Sequence, residues 1–463
     1  MSKEGAKMTT IINKITAFLT LTVLLLSVCL TGCQLIPSAS DPHKDAILLD
    51  YSTSDGKDNS PTSVGVFDAD DMIHQEGTLL KTAAGETVYL RGVNLGSYYV
   101  TEAWMTRLLT SADYKTRTKL LLSRFGEEKT LALWEEWRNN WFSDTDLQLL
   151  KDMGANVIRL PITYMNVDFN AIYDYNLAGY EYDFSDIDAF IEKAASYGIY
   201  TILDLHGAYG SQNGADHSGE SKSPADIDFY YNEQMMQLTV DLWRAMAEHY
   251  KDNPAVAAYD VLNEPGEHKV GGGTMKTTTK HWNFMDRLYD AIREVDTNHV
   301  VIFESCWEAD NLPMPSDYGW ENCMYSFHHY SNNYGTSATA HNNSVKNKME
   351  AIATRNFGVP IQMGEFTCYD NKEQWEYTLN YFNEHGIHWC NWTYKLHRNS
   401  ESMRFWGYVN VTADEGLVDL NTASYDEIFN SFSLVKTGEG TTRIPTFSDG
   451  TSFFDVLTKY FNQ

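Results

Sequence analysis

From residue 88 onward, short apolar runs alternate with longer segments of helical period. The runs are "VYLRGVNL" (88–95), "NVIRLPI" (156–162), "YTILDLHG" (200–207), "VAAYDVLNEP" (256–265), "VVIFES" (300–305), "MYSFHHY" (324–330), "VPIQMGEF" (359–366) and "IHWCNWTYK" (387–395). Their length and continuous hydrophobicity suit parallel strands buried on both faces. Between them, "DFSDIDAFIEKAASYGI" puts Ile187, Phe190, Ile191 and Ala194 on one helical face, with Ser185 and Gly198 as caps. "NEQMMQLTVDLWRAMAEHYKDNP" and "TKHWNFMDRLYDAIREVD" repeat the 3.6-residue period, and "TSFFDVLTKYFNQ" has the spacing of a closing helix. Eight strands alternating with helices predict an α/β fold, a (β/α)8 barrel forming one domain over 76–463. A doubly wound nucleotide-binding sheet would need a glycine-rich turn after its first strand. "RGVNLGSYY" lacks the G-x-G-x-x-G spacing and a helix directly after it.

Polar or aromatic residues close these runs: Arg159 the second, His206 the third, Asn263 and Glu264 the fourth, His328 and Tyr330 the sixth, Glu365 the seventh, with Trp392 in the eighth. Taken singly, a strand-end Glu is commoner as a salt-bridge partner, a His as a structural hydrogen-bonder and a Trp as packing. As a set in one register they converge on the barrel mouth, where such folds place their chemistry. Period-two alternation puts 328 and 330 on one side and His329 on the other, so His328 is the one expected in the site. Two glutamates across a mouth suit glycosidic cleavage: one protonates the leaving oxygen, the other attacks the anomeric carbon. A separation of roughly 5 Å gives retention and roughly 6.5–9.5 Å inversion. Arg159 and Tyr330 are placed to keep one carboxylate charged, which makes Glu365 the nucleophile and Glu264 the acid/base.

"RGVNLG", "VIRLPI", "LDLHG", "NEP", "SFHHY", "GEF" and "NWTYK", in this order, resemble glycoside hydrolase family 5 over about residues 76–463. The resemblance implies a retaining hydrolase with Glu264 as acid/base and Glu365 as nucleophile. It also implies Asn263 on the sugar 2-hydroxyl, Arg159 supporting the nucleophile, His206, His328 and Tyr330 lining the sugar, and Trp392 as its floor. "LDLHGAYGSQNGADHSGE" (203–220) and "NLGSYYVTEAWMT" (94–106) resemble the loops of exo-β-1,3-glucanases in that family. Ser97–Tyr98 replace its Gly–Trp pair and Tyr209 its proline, departures expected beside the substrate. The excursion over 398–433 is expected to wall the cleft, favouring exo action. The alternatives are an endo-β-1,4-glucanase or mannanase, and, from another class, a non-catalytic sugar-binding surface lipoprotein.

Composition narrows the partners. With 63 Asp+Glu against 35 Lys+Arg the chain carries a formal charge of −28, which argues against nucleic acid or an anionic membrane surface as the main partner. The 29 Tyr and 12 Trp suit a groove that stacks on sugar rings. A β-glucan or gluco-oligosaccharide substrate, a monomer and no cofactor are expected. No metal constellation is visible, and two-carboxylate chemistry requires none. "KMTTIINK" followed by "ITAFLTLTVLLLSVCL" reads as a signal peptide over 1–32, and "LTGC" resembles a bacterial lipobox in which Cys33 is lipidated. The polar stretch 33–75 then reads as a tether, with one early strand at "SVGVF". The expected location is outside the cytoplasmic membrane, lipid-anchored, with plain secretion as the alternative. Cys306, Cys323, Cys368 and Cys390 have neither zinc spacing nor scaffold density and read as buried small hydrophobes.

Overall fold

The computed structural model describes residues 63–463 apart from 107, 111, 224, 267–277, 306, 332–336, 398–402, 413–416 and 439–441. The signal peptide, Cys33, most of the tether and Cys306 lie outside the described residues. Eight parallel strands close into a barrel: β1 (Arg91–Asn94), β2 (Val157–Thr163), β3 (Tyr200–Gly207), β4 (Val256–Asp260), β5 (Val300–Ser305), β6 (Cys323–His329), β7 (Ile361–Phe366) and β8 (His388–Asn391). Each pairs with the next, and β8 returns to β1 with Trp389 opposite Arg91. A short helix (Ala103–Thr106) and three long ones (Tyr114–Phe125, Glu127–Trp141, Asp144–Met153) follow β1, and single long helices follow β2 (Ser185–Ser196), β3 (Glu233–Tyr250), β4 (Thr279–Arg293), β6 (Ala338–Arg355) and β7 (Lys372–Glu384). After β5 the described helical pieces are short turns, Ala309–Asn311 and Pro315–Tyr318. This is the (β/α)8 architecture expected from the run-and-helix alternation.

Local signals place most elements. Ile187, Phe190, Ile191 and Ala194 are all buried on one face of their helix. Its cap differs from expectation: Ser185 is the first helical residue, and the Asp183 carboxylate accepts its N–H at 2.9 Å. Gly92 is required because a Cβ there would lie 1.8 Å from the Val157 carbonyl oxygen across the β1–β2 pair. The tether also ends earlier than read. Phe67 is buried and stacks on Tyr200 at 4.1 Å, and Ile73–Glu76 begins a small antiparallel sheet with Leu79–Thr82 and Thr87–Val88. Ile73 and Leu80 gain burial that a solvated linker would forgo, while Gln75 exchanges hydrogen bonds with Asn322 and Cys323 at the start of β6. The segment "SVGVF" forms only a Val64–Phe67 bridge.

β4 is shorter than its apolar run. It stops at Asp260, so Asn263 and Glu264 belong to the turn beyond it. Glu264 has φ +42°, a left-handed conformation that costs a non-glycine residue about 1–3 kcal/mol. Three contacts hold it: Gln212 Nε2 on the Asn263 carbonyl (2.8 Å), Asn213 Nδ2 on the Glu264 carbonyl (3.2 Å), and the Glu304 carboxylate on the Glu264 N–H.

Candidate active site

The upper barrel interior is polar. Asn94 pairs across from Arg159, and Asp204 from Asp260, and all four are buried together with Glu304. Arg159 is the hub. Its guanidinium donates to Asp260 (2.8 Å), Asn94 (2.9 Å), Asn263 (2.9 Å), Glu365 (3.0 Å) and Glu304 (3.2 Å), and lies 3.1 Å from Asp204. Burial alone would favour losing its proton, but the surrounding carboxylates outweigh that and raise its pKa further. Burial, with Glu304 and Asp204 adding repulsion, pushes Asp260 well above the usual carboxylate range, and Asp204 rises to about 7. One fixed cation is thus shared among more carboxylates than it can neutralise, and their mutual repulsion adds to burial in raising the inner two.

Glu365 reaches its place through a register shift in the β6–β7 pair. Met363 faces Phe327, and Glu365 then faces His328, with Gly364 between. A Cβ on Gly364 would sit 2.3 Å from Ser326 Oγ, so only glycine passes here. Arg159 donates to Oε1 of Glu365, and the Tyr330 hydroxyl donates to Oε2 at 2.7 Å. Burial and the adjacent Glu365 charge hold Tyr330 protonated as a donor. Glu264 comes from the opposite rim, with Oε1 2.9 Å from His328 Nδ1 and Oε2 3.3 Å from His217 Nε2. His328 Nε2 forms an ion pair with Glu304 at 2.5 Å. Burial opposes a charged His328, but Glu304 and Glu365 overcome it and raise its pKa well above the ordinary value.

An oxygen of Glu264, an oxygen of Glu365 and a nitrogen of His328 all lie within 4.8 Å of one another. Three such donors could hold a metal ion. Here, however, both His328 nitrogens face carboxylates and carry protons, so His328 is itself the cation and offers no lone pair.

His206 is pushed down to about 3 by burial and is neutral. Its Nδ1 hydrogen donates to Asp204 at 2.6 Å, and its ring stacks on Trp392 with centroids 5.4 Å apart. Asn263 Oδ1 is taken by Arg159, which turns its NH2 toward His206 Nε2 (3.3 Å) and the cavity. The cavity has a volume of about 270 Å³ and is lined by His206, Asn263, Glu264, Tyr330, Glu365 and Trp392, joined by Glu102, Trp104, His217 and Trp406. His328 lies beneath it, and His329 points away toward Ser344 and His341.

The structure adds residues the sequence reading did not single out. Glu304 ends the fifth run as Glu365 ends the seventh, and that parallel was the available signal. Asp204 and Asp260 lie mid-run, where a polar residue reads as ordinary alternation. Trp406 belongs to the excursion after β8. It stacks on Tyr330 at 5.6 Å and meets Trp104 edge-on at 5.4 Å, closing one side of the cavity. Trp104 and Glu102 are set by the first loop, whose backbone accepts indole hydrogen bonds from Trp141 on Gly96 (2.9 Å) and Trp137 on Ser97 (2.8 Å).

The departures expected beside the substrate lie elsewhere. Tyr98 packs on Phe190 and Phe142, and Tyr209 is buried against Tyr164 with its hydroxyl 2.5 Å from Asp168. Both brace loops from behind, because large rings bury more apolar area there than the rim would allow. Glu220 bridges Lys115 (3.1 Å), Tyr164 (3.1 Å) and Tyr175. Cys323, Cys368 and Cys390 are buried free thiols, with Cys323 and Cys390 pushed up to about 12 by burial.

Glu102 yields a pH prediction. Burial raises its pKa to about 8, against 4.5 for an ordinary glutamate, although Trp104 Nε1 donates to it at 2.7 Å. The folded state therefore keeps a proton that the unfolded chain releases, and the stability this contributes below pH 4.5 is lost as pH rises through 8. Glu102→Gln is expected to gain urea resistance relative to the parent between pH 5 and pH 9. An unchanged difference across that window would contradict a neutral Glu102.

A family model described as cellulase (glycosyl hydrolase family 5) matches residues 122–398. A "Beta-xylosidase" of Phanerodontia chrysosporium is 28% identical over 73% of this chain and 72% of its own length. A "Probable glucan 1,3-beta-glucosidase A" of Aspergillus fumigatus is 31% identical over 46% of this chain and 49% of its own. The match thus spans about half the length of that glucosidase. Among solved structures, a rutinosidase from Aspergillus niger superposes with TM-score 0.54 at 16% identity, covering 68% of this chain and 92% of that one. An endogalactoceramidase does so with TM-score 0.53 at 18% identity, covering 78% and 84%. These two likenesses carry the fold alone. The family model spans more than half of the sequence, and the chain is a glycoside hydrolase belonging to glycosyl hydrolase family 5.

Proposed function

We propose that this chain is a retaining exo-acting β-glucosidase of the glucan 1,3-β-glucosidase type, removing single sugars from the end of a β-glucan. The observation that carries the reading is the approach of a Glu264 oxygen and a Glu365 oxygen to within 4.8 Å, near the roughly 5 Å spacing of retaining pairs and short of the roughly 6.5–9.5 Å of inverting ones. Glu365, oriented by hydrogen bonds from Arg159 and Tyr330, attacks the anomeric carbon. The bond to the leaving oxygen breaks as Glu264 protonates that oxygen, giving a glycosyl ester on Glu365. Glu264 then takes a proton from water, the water oxygen bonds to the anomeric carbon, and Glu365 leaves as carboxylate. The Asn263 amide faces the cavity beside His206 and is placed to bond a sugar hydroxyl, with Trp392 as the stacking floor.

Exo action is supported by the walls. Glu102 and Trp104 from the first loop, and Trp406 from the excursion after β8, enclose about 270 Å³, below the roughly 300–1,000 Å³ typical of sites for larger ligands. An endo-acting enzyme needs a groove open at both ends. The glucosidases named above suggest glucose, and the xylosidase makes a pentose the competing substrate. A product profile on linear β-1,3 and β-1,4 gluco-oligosaccharides, with aryl β-glucoside and β-xyloside alongside, tests this. We expect one glucose released per cut and a preference for β-1,3 linkages. Mid-chain products from cello-oligosaccharides or mannan would establish the endo alternative, and ligand binding without turnover the non-catalytic one.

The N-terminal sequence supports export and anchoring through Cys33. Retention of Cys33→Ala at the membrane would count against the anchor.

A further inference from the structure

Two residues outside the chemistry above touch Glu264 from its outer side. Asn213 and His217 both lie on the loop after β3, and the Asn213 amide is oriented twice over. Its Oδ1 accepts the Ala215 N–H at 2.9 Å, and its Nδ2 donates to the Glu264 carbonyl at 3.2 Å. The same Nδ2 faces His217 Nε2 at 2.9 Å. An amide NH2 only donates, so Nε2 must be the acceptor, and the proton of the imidazole ring sits on Nδ1. That bare nitrogen lies 3.3 Å from Glu264 Oε2. A bare nitrogen repels the lone pairs of a carboxylate and accepts from the O–H of a carboxylic acid. On the other side, Oε1 already accepts from His328 Nδ1. The two oxygens of Glu264 are therefore unlike: Oε1 accepts, and Oε2 faces a site that accepts from it.

We propose that Asn213 and His217 are positioning residues that keep Glu264 protonated on Oε2, in its acid form, until the leaving oxygen takes the proton. The inference rests on Glu264 being the acid/base. It accounts for an otherwise contrary feature: the His328 cation by itself favours the carboxylate form of Glu264, which would leave the first step without a proton. The arrangement serves the second step too. Once the leaving group has gone, a carboxylate facing bare Nε2 is unfavourable, which drives Glu264 to take a proton from the incoming water. Among the described residues, the other titratable groups facing Glu264 include His328, Tyr330, Glu365, Glu304, His206 and Glu102. His217 in turn faces Asp204, His206 and Asp216. Substitution at 213 or 217 leaves all of these in place.

The test is the pH profile of kcat/KM on two substrates. One is an unactivated gluco-oligosaccharide, whose leaving oxygen needs the proton. The other is 2,4-dinitrophenyl β-glucoside, whose leaving group does not. His217→Phe keeps a ring of similar shape without the acceptor. It is expected to move the alkaline limb for the oligosaccharide about one pH unit lower, a roughly tenfold loss on that side, and to leave the alkaline limb for the dinitrophenyl glucoside where it was, whatever the change in its overall rate. Asn213→Ala, which frees the ring to carry its hydrogen on Nε2 and donate to Glu264, is expected to move the limb the same way and covers a misfolded Phe variant. An unmoved limb in both variants, or an equal shift of the limb on both substrates, overturns the proposal and leaves His217 a loop-packing residue. Glu264→Ala serves as the control. If it too fails to separate the two substrates, the acid/base assignment itself is wrong.

Discussion

Replacing Glu365 by Ala is expected to lower hydrolysis of gluco-oligosaccharides by at least about 10⁴-fold, because the variant loses the carboxylate that attacks the anomeric carbon. Azide should restore turnover of an activated aryl glucoside by occupying the vacated space, and the product should be the α-glycosyl azide, inverted because only one displacement occurs. A β-azide would mean that the two glutamates had exchanged roles. Absence of rescue in a folded variant would remove Glu365 as nucleophile. The result is sensitive to geometry: the Glu264 and Glu365 oxygens approach to within 4.8 Å, too close for a water to be activated between carboxylates as inversion requires.

Arg159→Met is expected to be the most damaging substitution to stability. The guanidinium is fully buried and is shared by Asp204, Asp260, Glu304 and Glu365, all buried themselves. Removing it leaves like charges facing one another without water, and breaking a buried ionic cluster of this kind costs about 3–5 kcal/mol. Urea unfolding at pH 7 would read the loss as a lower midpoint at similar slope. The deficit has a direction with pH. Without the cation the inner carboxylates are raised further above their unfolded values, so the variant recovers stability as pH falls and they protonate. Arg159→Lys would keep the charge but not the fan of donors, and is expected to recover stability better than activity. A midpoint unchanged in Arg159→Met would show that the buried carboxylates are neutral without it.

Much of this arrangement is legible one residue at a time. Continuous apolar runs of strand length mark β2, β3 and β5 within a residue of their ends, because a strand buried on both faces has no reason to alternate. The strand β4 is shorter than its run, since Val261 and Leu262 stay apolar after the backbone has left the strand at Asp260. Glu264, Glu365, Arg159, His206, Asn263, Tyr330 and Trp392 could be nominated because a barrel sends every strand end to one mouth. Asp204 and Asp260 could not, since a lone acid in mid-run reads alike whether it points into the barrel or outward, whereas Glu304 shares with Glu365 its place at the end of a run. Trp406 could not either: it follows no period, and its place depends on the excursion folding back over Tyr330.

The order of elements, the (β/α)8 architecture and the candidate rim residues thus follow from the sequence by itself, because hydrophobic periodicity is local and closure of the barrel does the rest. Only the tertiary structure decided how far apart the two glutamates lie and which side chains face each of them. Those depend on the register shift at Gly364 that sets Glu365 beside His328, on the left-handed turn that aims Glu264, and on burial that makes each charge answer to its neighbours. None of these is a property of any short stretch of chain.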